Sequence, residues 1–536
     1  MNLKDLYSSR GFKVALIALP IFIGALDLTV VSAVLPHVIL DLKIPLQTGL
    51  DDAAWIVTGY LLAYSLSMTF MGRLSDLYGR RRVYLAALVI FGLGSFLVAV
   101  AHLWPTRLAL RGYYLVASGR PDVSYVTLYV LIAARMIQAF GAGTMVPVGM
   151  ALVGDLYPAG QRARPLGINA AVDTAGWVVV HLYGGIIVRF WSWQMIFWLN
   201  LPFCLIAFVL IWVLLRGAEE VHRREGRMDW LGALLITLCL TMFNLALGSG
   251  SEASTSASLA GEANLSDYMI PLLVAALVAA GLFVWRQRRT DSPLVDLDLF
   301  KLPGYRPASL ANFLVGVAMF IAIANVPLFI NSLIAESAEQ GAWDSGWMLS
   351  ALTVPMALAA VPGGWLADKR GYRLPSITGL LMAVAGFLVM TQWTAQTTYA
   401  GMAPALTFTG IGFGLIMAPV AAAVINASPE EHRGTSSALV IIFRLIGMTI
   451  GVSGITTYGL RRVNFLNKQL IQPDMDFQAM LVTTMHVTER VISETFIIAA
   501  VVTALAIIPA MMLRGRSKNA APAAPPPKSP TDHSPR

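Results

Sequence analysis

Roughly fourteen apolar stretches of about 20 residues, separated by short polar loops, occupy almost the whole of this 536-residue chain. Each is long enough to cross a hydrocarbon layer about 30 Å thick as a helix, and in lipid a spanning segment must satisfy its own backbone hydrogen bonds. The composition, 57% hydrophobic and only 13% charged, leaves more apolar surface than one soluble core can hide. The expected fold class is therefore an all-α integral membrane protein with about 14 spans. The spans fall near 12–36, 53–72, 83–103, 125–153, 166–188 and 195–215, then 229–248 and 268–286, then 308–334, 346–366, 374–393, 399–426, 434–460 and 493–513.

The net charge of +8 comes from basic residues dispersed through short loops, a membrane topology signal that excludes a nucleic-acid stripe. One set of loops holds Lys4, Arg10, Arg80 to Arg82, Arg162, Arg164, Arg286, Arg288, Lys369, Arg370 and Arg433, whereas 249–267 and 335–345 contain acids and no Lys or Arg. That asymmetry predicts both termini in the cytoplasm and a multi-pass protein of the inner or plasma membrane. The two cysteines, Cys204 and Cys239, lie in apolar runs without metal-ligand spacing and read as small core residues. No metal site, catalytic motif or cofactor is expected, because the seven histidines show no ligand spacing and no G-x-S-x-G occurs.

A short pattern occurs twice. Gly72-Arg73-Leu74-Ser75-Asp76-Leu77-Tyr78-Gly79-Arg80-Arg81-Arg82 joins the second and third runs, and Gly364-Trp365-Leu366-Ala367-Asp368-Lys369-Arg370-Gly371-Tyr372-Arg373 takes the same place in the second half. A duplicated membrane domain follows. Asp76 and Asp368 are suited to accept from helix N-termini or nearby arginines, while Gly79 and Gly371 permit tight turns. Gly72, Asp76, Gly79, Arg80, Arg81, Gly364, Asp368 and Gly371 are thus the expected cytoplasmic gate.

The repeat resembles the loop signature of the major facilitator superfamily, and Leu26-Asp27 followed by Thr29-Val30-Val31 resembles the first helix of its fourteen-span drug:proton antiporters. Arg135, Gln138 and Gly141 reproduce an R-x-x-Q-x-x-G spacing of the fourth helix, whose arginine that family links to proton transfer. The resemblance implies the major facilitator fold with its inverted repeats: a bundle over 12–216, two linker spans within 217–306 and a second bundle over 307–513, flanked by a short N-terminus (1–11) and a disordered tail (514–536). It also implies proton-coupled alternating access, exporting drug-like compounds or lipids, with the proton gradient in place of a cofactor. The fifth run departs from the usual G-P-x-x-G-G, reading Val179-Val180-His181-Leu182-Tyr183-Gly184-Gly185.

An intramembrane carboxylate is costly unless paired, hydrated or protonated, so Asp27 and Asp173, with Arg135 as countercharge, are the expected proton-coupling and substrate residues. Gln138, His181, Asn325 and Arg444 are secondary cavity candidates. The expectation for Asp27→Asn and Asp173→Asn is loss of proton-driven transport with folding intact. Asp52-Ala-Ala-Trp55 through Tyr60 resembles triacylglyceride-exporting members, which implies lipid cargo, lateral entry among membrane lipids and an external carrier protein as acceptor. Two further expectations concern loops. Residues 461–492 carry apolar spacings of a projecting helical hairpin, and within the long stretch from Trp104 to Tyr125 the segment from Arg111 to Pro121 is compatible with a short external hairpin, the alternative being a plain insertion.

Overall fold

The structure is a computed structural model that describes residues 9–44, 46–116, 119–158, 160–215, 227–248, 268–471 and 475–513. The loop 249–267 and the tail 514–536 lie outside them. Among the described residues all regular structure is helical. In chain order the helices are α1 (Arg10–Asp41), α2 (Leu46–Tyr78), α3 (Arg80–Ala99), α4 (Trp104–Val116), α5 (Val123–Leu156), α6 (Ala163–Phe190), α7 (Gln194–Leu214), α8 (Trp230–Gly248) and α9 (Met269–Gln287). The second half adds α10 (Tyr305–Phe329), α11 (Ala338–Arg370), α12 (Arg373–Met390), α13 (Tyr399–Ala427), α14 (Arg433–Leu470) and α15 (Phe477–Met511). Eleven of these are long and apolar enough to cross a membrane, and α2 and α8 carry shorter apolar stretches.

Each half packs on itself through small residues. A Cβ on Gly141 of α5 would lie 2.5 Å from the Phe91 amide of α3. In α13 the run Gly410-Ile-Gly412-Phe-Gly414 performs the same task, with Gly412 against Ala383 of α12 and Gly414 against Ala359 of α11. The halves meet along two seams, α2 with α14 and α6 with α11. Backbones nearly touch there: a Cβ on Gly72 would lie 2.5 Å from the Gly434 oxygen, and one on Gly167 2.5 Å from that of Ala360. These approaches cluster where the duplicated loops lie, the end called here the motif face.

The pair α8 and α9 forms the linker hairpin. Its end at the motif face is clasped by Asp229, which accepts from Gly232 N (3.0 Å), Gln287 Nε2 (3.0 Å) and Arg286 Nε (3.3 Å). Ala233, Phe283, Leu294 and Val295 pack there against Phe70 of α2 and Leu439 of α14. Toward the opposite face, α9 rests on α8.

One expectation is corrected. The segment from Trp104 forms helix α4 instead of a hairpin, because Pro105 is compatible with a first helical turn, Thr106 Oγ1 donates to Ala101 O (2.6 Å), and Leu108-Ala109-Leu110-Arg111 favour helix. At the other end of the chain α14 continues to Leu470 and α15 begins at Phe477, a helical hairpin held by Arg462 and Tyr458 on Glu494 at 2.9 and 2.7 Å.

Candidate functional site

Three polar constellations interrupt the apolar interior. The first is sealed inside the first half. Asp27, completely buried midway along α1, accepts from Arg135 Nη1 at 2.6 Å, Gln138 Nε2 at 2.9 Å and Asn200 Nδ2 at 3.1 Å. Arg135 Nη1 also donates to Gln138 Oε1 (2.7 Å), and its guanidinium lies over the Tyr60 ring at 4.0 Å. Ser95 Oγ accepts from both Gln138 and Asn200 at 3.1 Å. Four helices of one bundle thus share a single ion pair with its hydrogen-bonding shell. A charge here is tolerated because nearly every lone pair of the carboxylate has a donor.

The second constellation is the central cavity between the halves, about 210 Å³. Asp173 of α6 and Arg444 of α14 both line it and face one another across the interface, Arg444 Nη2 to Asp173 Oδ2 at 3.8 Å. Each sits ten or eleven residues into its helix, about 15 Å from the motif face and so near the middle of the membrane. Around this pair the wall is apolar and rich in methionine: Met68, Met319, Met356, Met417 and Met448. Methionine is flexible and polarizable, suited to a surface that accommodates varied apolar shapes. Leu240, Phe243 and Asn244 of the linker helix α8 complete the wall at the α2–α14 seam.

The third is a latch across the motif face, built from the duplicated acids. Asp76, at the end of α2, accepts from Gly434 N (2.9 Å), Thr435 N (3.0 Å) and Thr435 Oγ1 (3.1 Å) at the start of α14. Asp368, at the end of α11, accepts from Ala163 N (3.1 Å) and Arg164 N (3.0 Å) at the start of α6. Each copy of the motif therefore caps a helix of the opposite half, where unsatisfied N–H groups and the helix dipole favour a carboxylate. Arg80 pairs with Asp76 (3.2 Å) and Asp155 and donates to the Glu430 carbonyl (2.9 Å), while Arg433 pairs with Asp155 and Glu430 at 2.9 and 2.8 Å. Arg81 Nη2 donates to Trp212 O, within its own half. Gly79 and Gly371 turn the chain at φ +97° and +84°, backbone that residues with a Cβ rarely adopt. Gly72 and Gly364 face the opposite half so closely that a Cβ would strike Gly434 or Ala163. In this arrangement the motif face is shut.

Beside the latch, Arg162 donates to Tyr157 O and Asn426 Oδ1, both at 2.9 Å. Burial, reinforced by the neighbouring Arg433 charge, lowers its pKa to about 10. It still carries its proton at neutral pH, so this part of the latch is insensitive to ordinary pH changes.

The predicted residues thus divide among separate places. Asp27, Arg135 and Gln138 come together, but within one bundle and away from the cavity; Asp173 and Arg444, unlinked in sequence, meet across the halves. Asn325 is corrected as a cavity candidate: it is buried between α10 and α15, donating to Thr495 Oγ1 at 2.6 Å, so its helix turns it into the bundle. His181 belongs to α6, and its side chain lies outside the described residues. Sequence reasoning missed Ser95, Asn200, Asp155 and Thr435. Asn200 was the most legible, an amide inside the otherwise apolar α7, and Asp155 lies at the end of an apolar run just before Pro158; a lone serine or threonine carries no comparable signal.

Over residues 17–452 and 308–535 the chain matches the sequence pattern described as Major Facilitator Superfamily. It is 30% identical over 475 residues to a triacylglyceride transporter of Mycolicibacterium hassiacum, covering 86% of this chain and 82% of that one. It is also 30% identical over 533 residues to a triacylglyceride transporter of Mycobacterium tuberculosis, with 95% and 96% covered. Among solved structures, the proton:xylose symporter XylE aligns with a TM-score of 0.56 at 16% identity over 92% of this chain and 95% of that one. The human organic anion transporter MFSD10 aligns at 0.55 and 13%, over 91% and 98%. These structural likenesses show a common fold.

Proposed function

The chain belongs to the major facilitator superfamily, a multi-pass membrane transporter and not an enzyme, and from that premise we propose that it exports hydrophobic or amphiphilic cargo by proton-coupled alternating access. The observation that carries the cargo class is the cavity wall, where five methionines surround an acid and a base that face each other. An acid opposed by a guanidinium offers little to a cationic substrate, whereas the wall suits acyl chains. The triacylglyceride transporters among its relatives support a neutral lipid as the favoured cargo.

In the proposed orientation the motif face is cytoplasmic, and the cavity is closed to it by the latch. Its volume of about 210 Å³ is below the roughly 300–1,000 Å³ of an ordinary small-molecule site, so loading requires the halves to separate. A proton arriving on Asp173 removes the charge that faces Arg444 across the interface and weakens the tie between α6 and α14. Asp27, held by Arg135, is the second proposed proton carrier. Its protonation would release the guanidinium onto Gln138 and the Tyr60 ring, altering how α1 packs on α5 within the first half.

The direct test is transport into proteoliposomes under an imposed pH gradient, with a fluorescent neutral glyceride and a fluorescent lipophilic cation in the same preparation. The glyceride is expected to accumulate uphill and to stop when the gradient is collapsed. Accumulation of the cation alone would make this a drug antiporter, and absence of uphill movement by either would remove the coupling.

The facing charges make a separate prediction. Asp173→Arg and Arg444→Asp should each lower coupled transport by tenfold or more, since each sets like charges against one another in a partly dry cavity, a loss of about 2 kcal/mol or greater. Combining them restores opposite charges and is expected to recover much of the rate. A double variant no better than either single would show that the contact is not used as a pair.

A further inference from the structure

A second hollow lies farther along α14 and shares no lining residue with the transport cavity. Among the described residues the linker helix α9 packs against α8 and is clasped at the motif face. The gap of about 660 Å³ between α9 and α14 is open to the side. Its lower part is apolar, with Met269 and Leu273 on α9 opposite Ile450 on α14. Above, Ser453, Thr457 and Arg461 follow at intervals of four residues and so form one polar row along α14 that faces the gap.

Arg461 and its neighbour Arg462 have different surroundings. Arg462 is engaged by Glu494 of α15, which also receives Tyr458 and Arg490. Arg461 is exposed and makes no ion pair among the described residues. Arg461 lies about 25 Å along α14 past Arg444, beyond the half-thickness of about 15 Å of a hydrocarbon core and so on its headgroup side. Tyr458, Arg462 and Phe465 complete the lining on α14 around and beyond Arg461. The hollow therefore joins an acyl-lined floor to a positive charge on the headgroup side of the hydrocarbon edge that has no ion-pair partner among the described residues.

We propose that this groove is a binding site for a phospholipid with an anionic headgroup, drawn from the leaflet opposite the motif face, whose phosphate pairs with Arg461 and whose chain fills the space between α9 and α14. Apolar surface flanking a gap inside a bilayer is filled by lipid in any case; the guanidinium and the two hydroxyls select which lipid. The bound molecule would wedge the start of α9 against the helix that carries Arg444. The site is distinct from the transport cavity and stands whether or not the cargo is a glyceride.

Native mass spectrometry of the full chain in mild detergent, offered phosphatidylglycerol or phosphatidylcholine, reads this without any transport assay. The wild type is expected to retain one phosphatidylglycerol and to discriminate against phosphatidylcholine by tenfold or more. Arg461→Ala should abolish the discrimination. Gly454→Phe should empty the groove while keeping Arg461, and it should fold normally, because a Cβ at Gly454 meets nothing within 4 Å. Equal retention of the two lipids by the wild type, or wild-type retention of phosphatidylglycerol by both variants, would overturn the proposal.

Discussion

Asp27→Asn is expected to abolish gradient-driven transport and, at the same time, to lower the stability of the purified protein. The second half of that expectation departs from what sequence suggests, which is loss of coupling with folding intact. Arg135 is 1% exposed and pairs with no other acid among the described residues, so an amide at position 27 leaves a guanidinium buried without countercharge. Breaking a buried pair by removing one partner costs about 3–5 kcal/mol. Adding Arg135→Gln removes the stranded charge and is expected to return most of the thermal stability, since Gln138, Asn200 and Ser95 can hydrogen-bond the resulting amides. Transport should remain absent in that double variant, because no titrating group is left in the α1–α5 cluster and Asp173 alone does not complete the proposed coupling. A double variant that regains coupled transport would show that Asp27 and Arg135 are structural, and wild-type coupled transport in Asp27→Asn alone would sink the carboxylate mechanism at this position.

The combined substitution Asp76→Ala with Asp368→Ala is expected to open the motif face permanently. Each acid caps a helix of the opposite half through two or more hydrogen bonds to a carboxylate, and contacts of that kind contribute about 1.5–3 kcal/mol apiece. Losing several of them approaches the roughly 5.5 kcal/mol that carries a two-state equilibrium from one extreme to the other. Spin labels placed at the exposed positions Tyr78 and Glu431 should show the closed-distance population vanish, with transport falling at least tenfold. Gly72→Val tests the same contact sterically, because a Cβ there lies 2.5 Å from the Gly434 oxygen and forces α2 and α14 apart with every charge retained. If the short distance persisted in both variants, the closed face would owe its stability to apolar packing along the seams and the acids would be simple helix caps.

The latch also separates what periodicity could reveal from what it could not. The acid, the pivot glycine and the cations of the repeat were legible because the motif occurs twice in register. That each acid would reach across to the other half was not, because the partners are backbone N–H groups at Gly434 and Ala163, and every residue but proline has one. The Asp27 cluster has the same character. An acid in α1 and an arginine in α5 are conspicuous in apolar sequence, whereas Ser95 and Asn200 are recognisable as partners only once α3 and α7 are packed beside them. Asn325 shows the converse. Its composition suits a cavity wall, yet the rotation of α10 turns it onto Thr495.

Local sequence determined the helices, since lipid admits few other solutions for long apolar runs, and it determined the duplication, the tight glycine turns and the charges that need partners. Tertiary structure alone decided which charges meet. Asp173 and Arg444 are 271 residues apart and face one another because two half-molecules pack seam to seam, and Arg462 is engaged by Glu494 of α15 while Arg461 makes no ion pair among the described residues. Helix formation is governed by interactions within a few residues, whereas pairing across a membrane bundle depends on the rotation of each helix about its axis, which is set by the packing of all its neighbours.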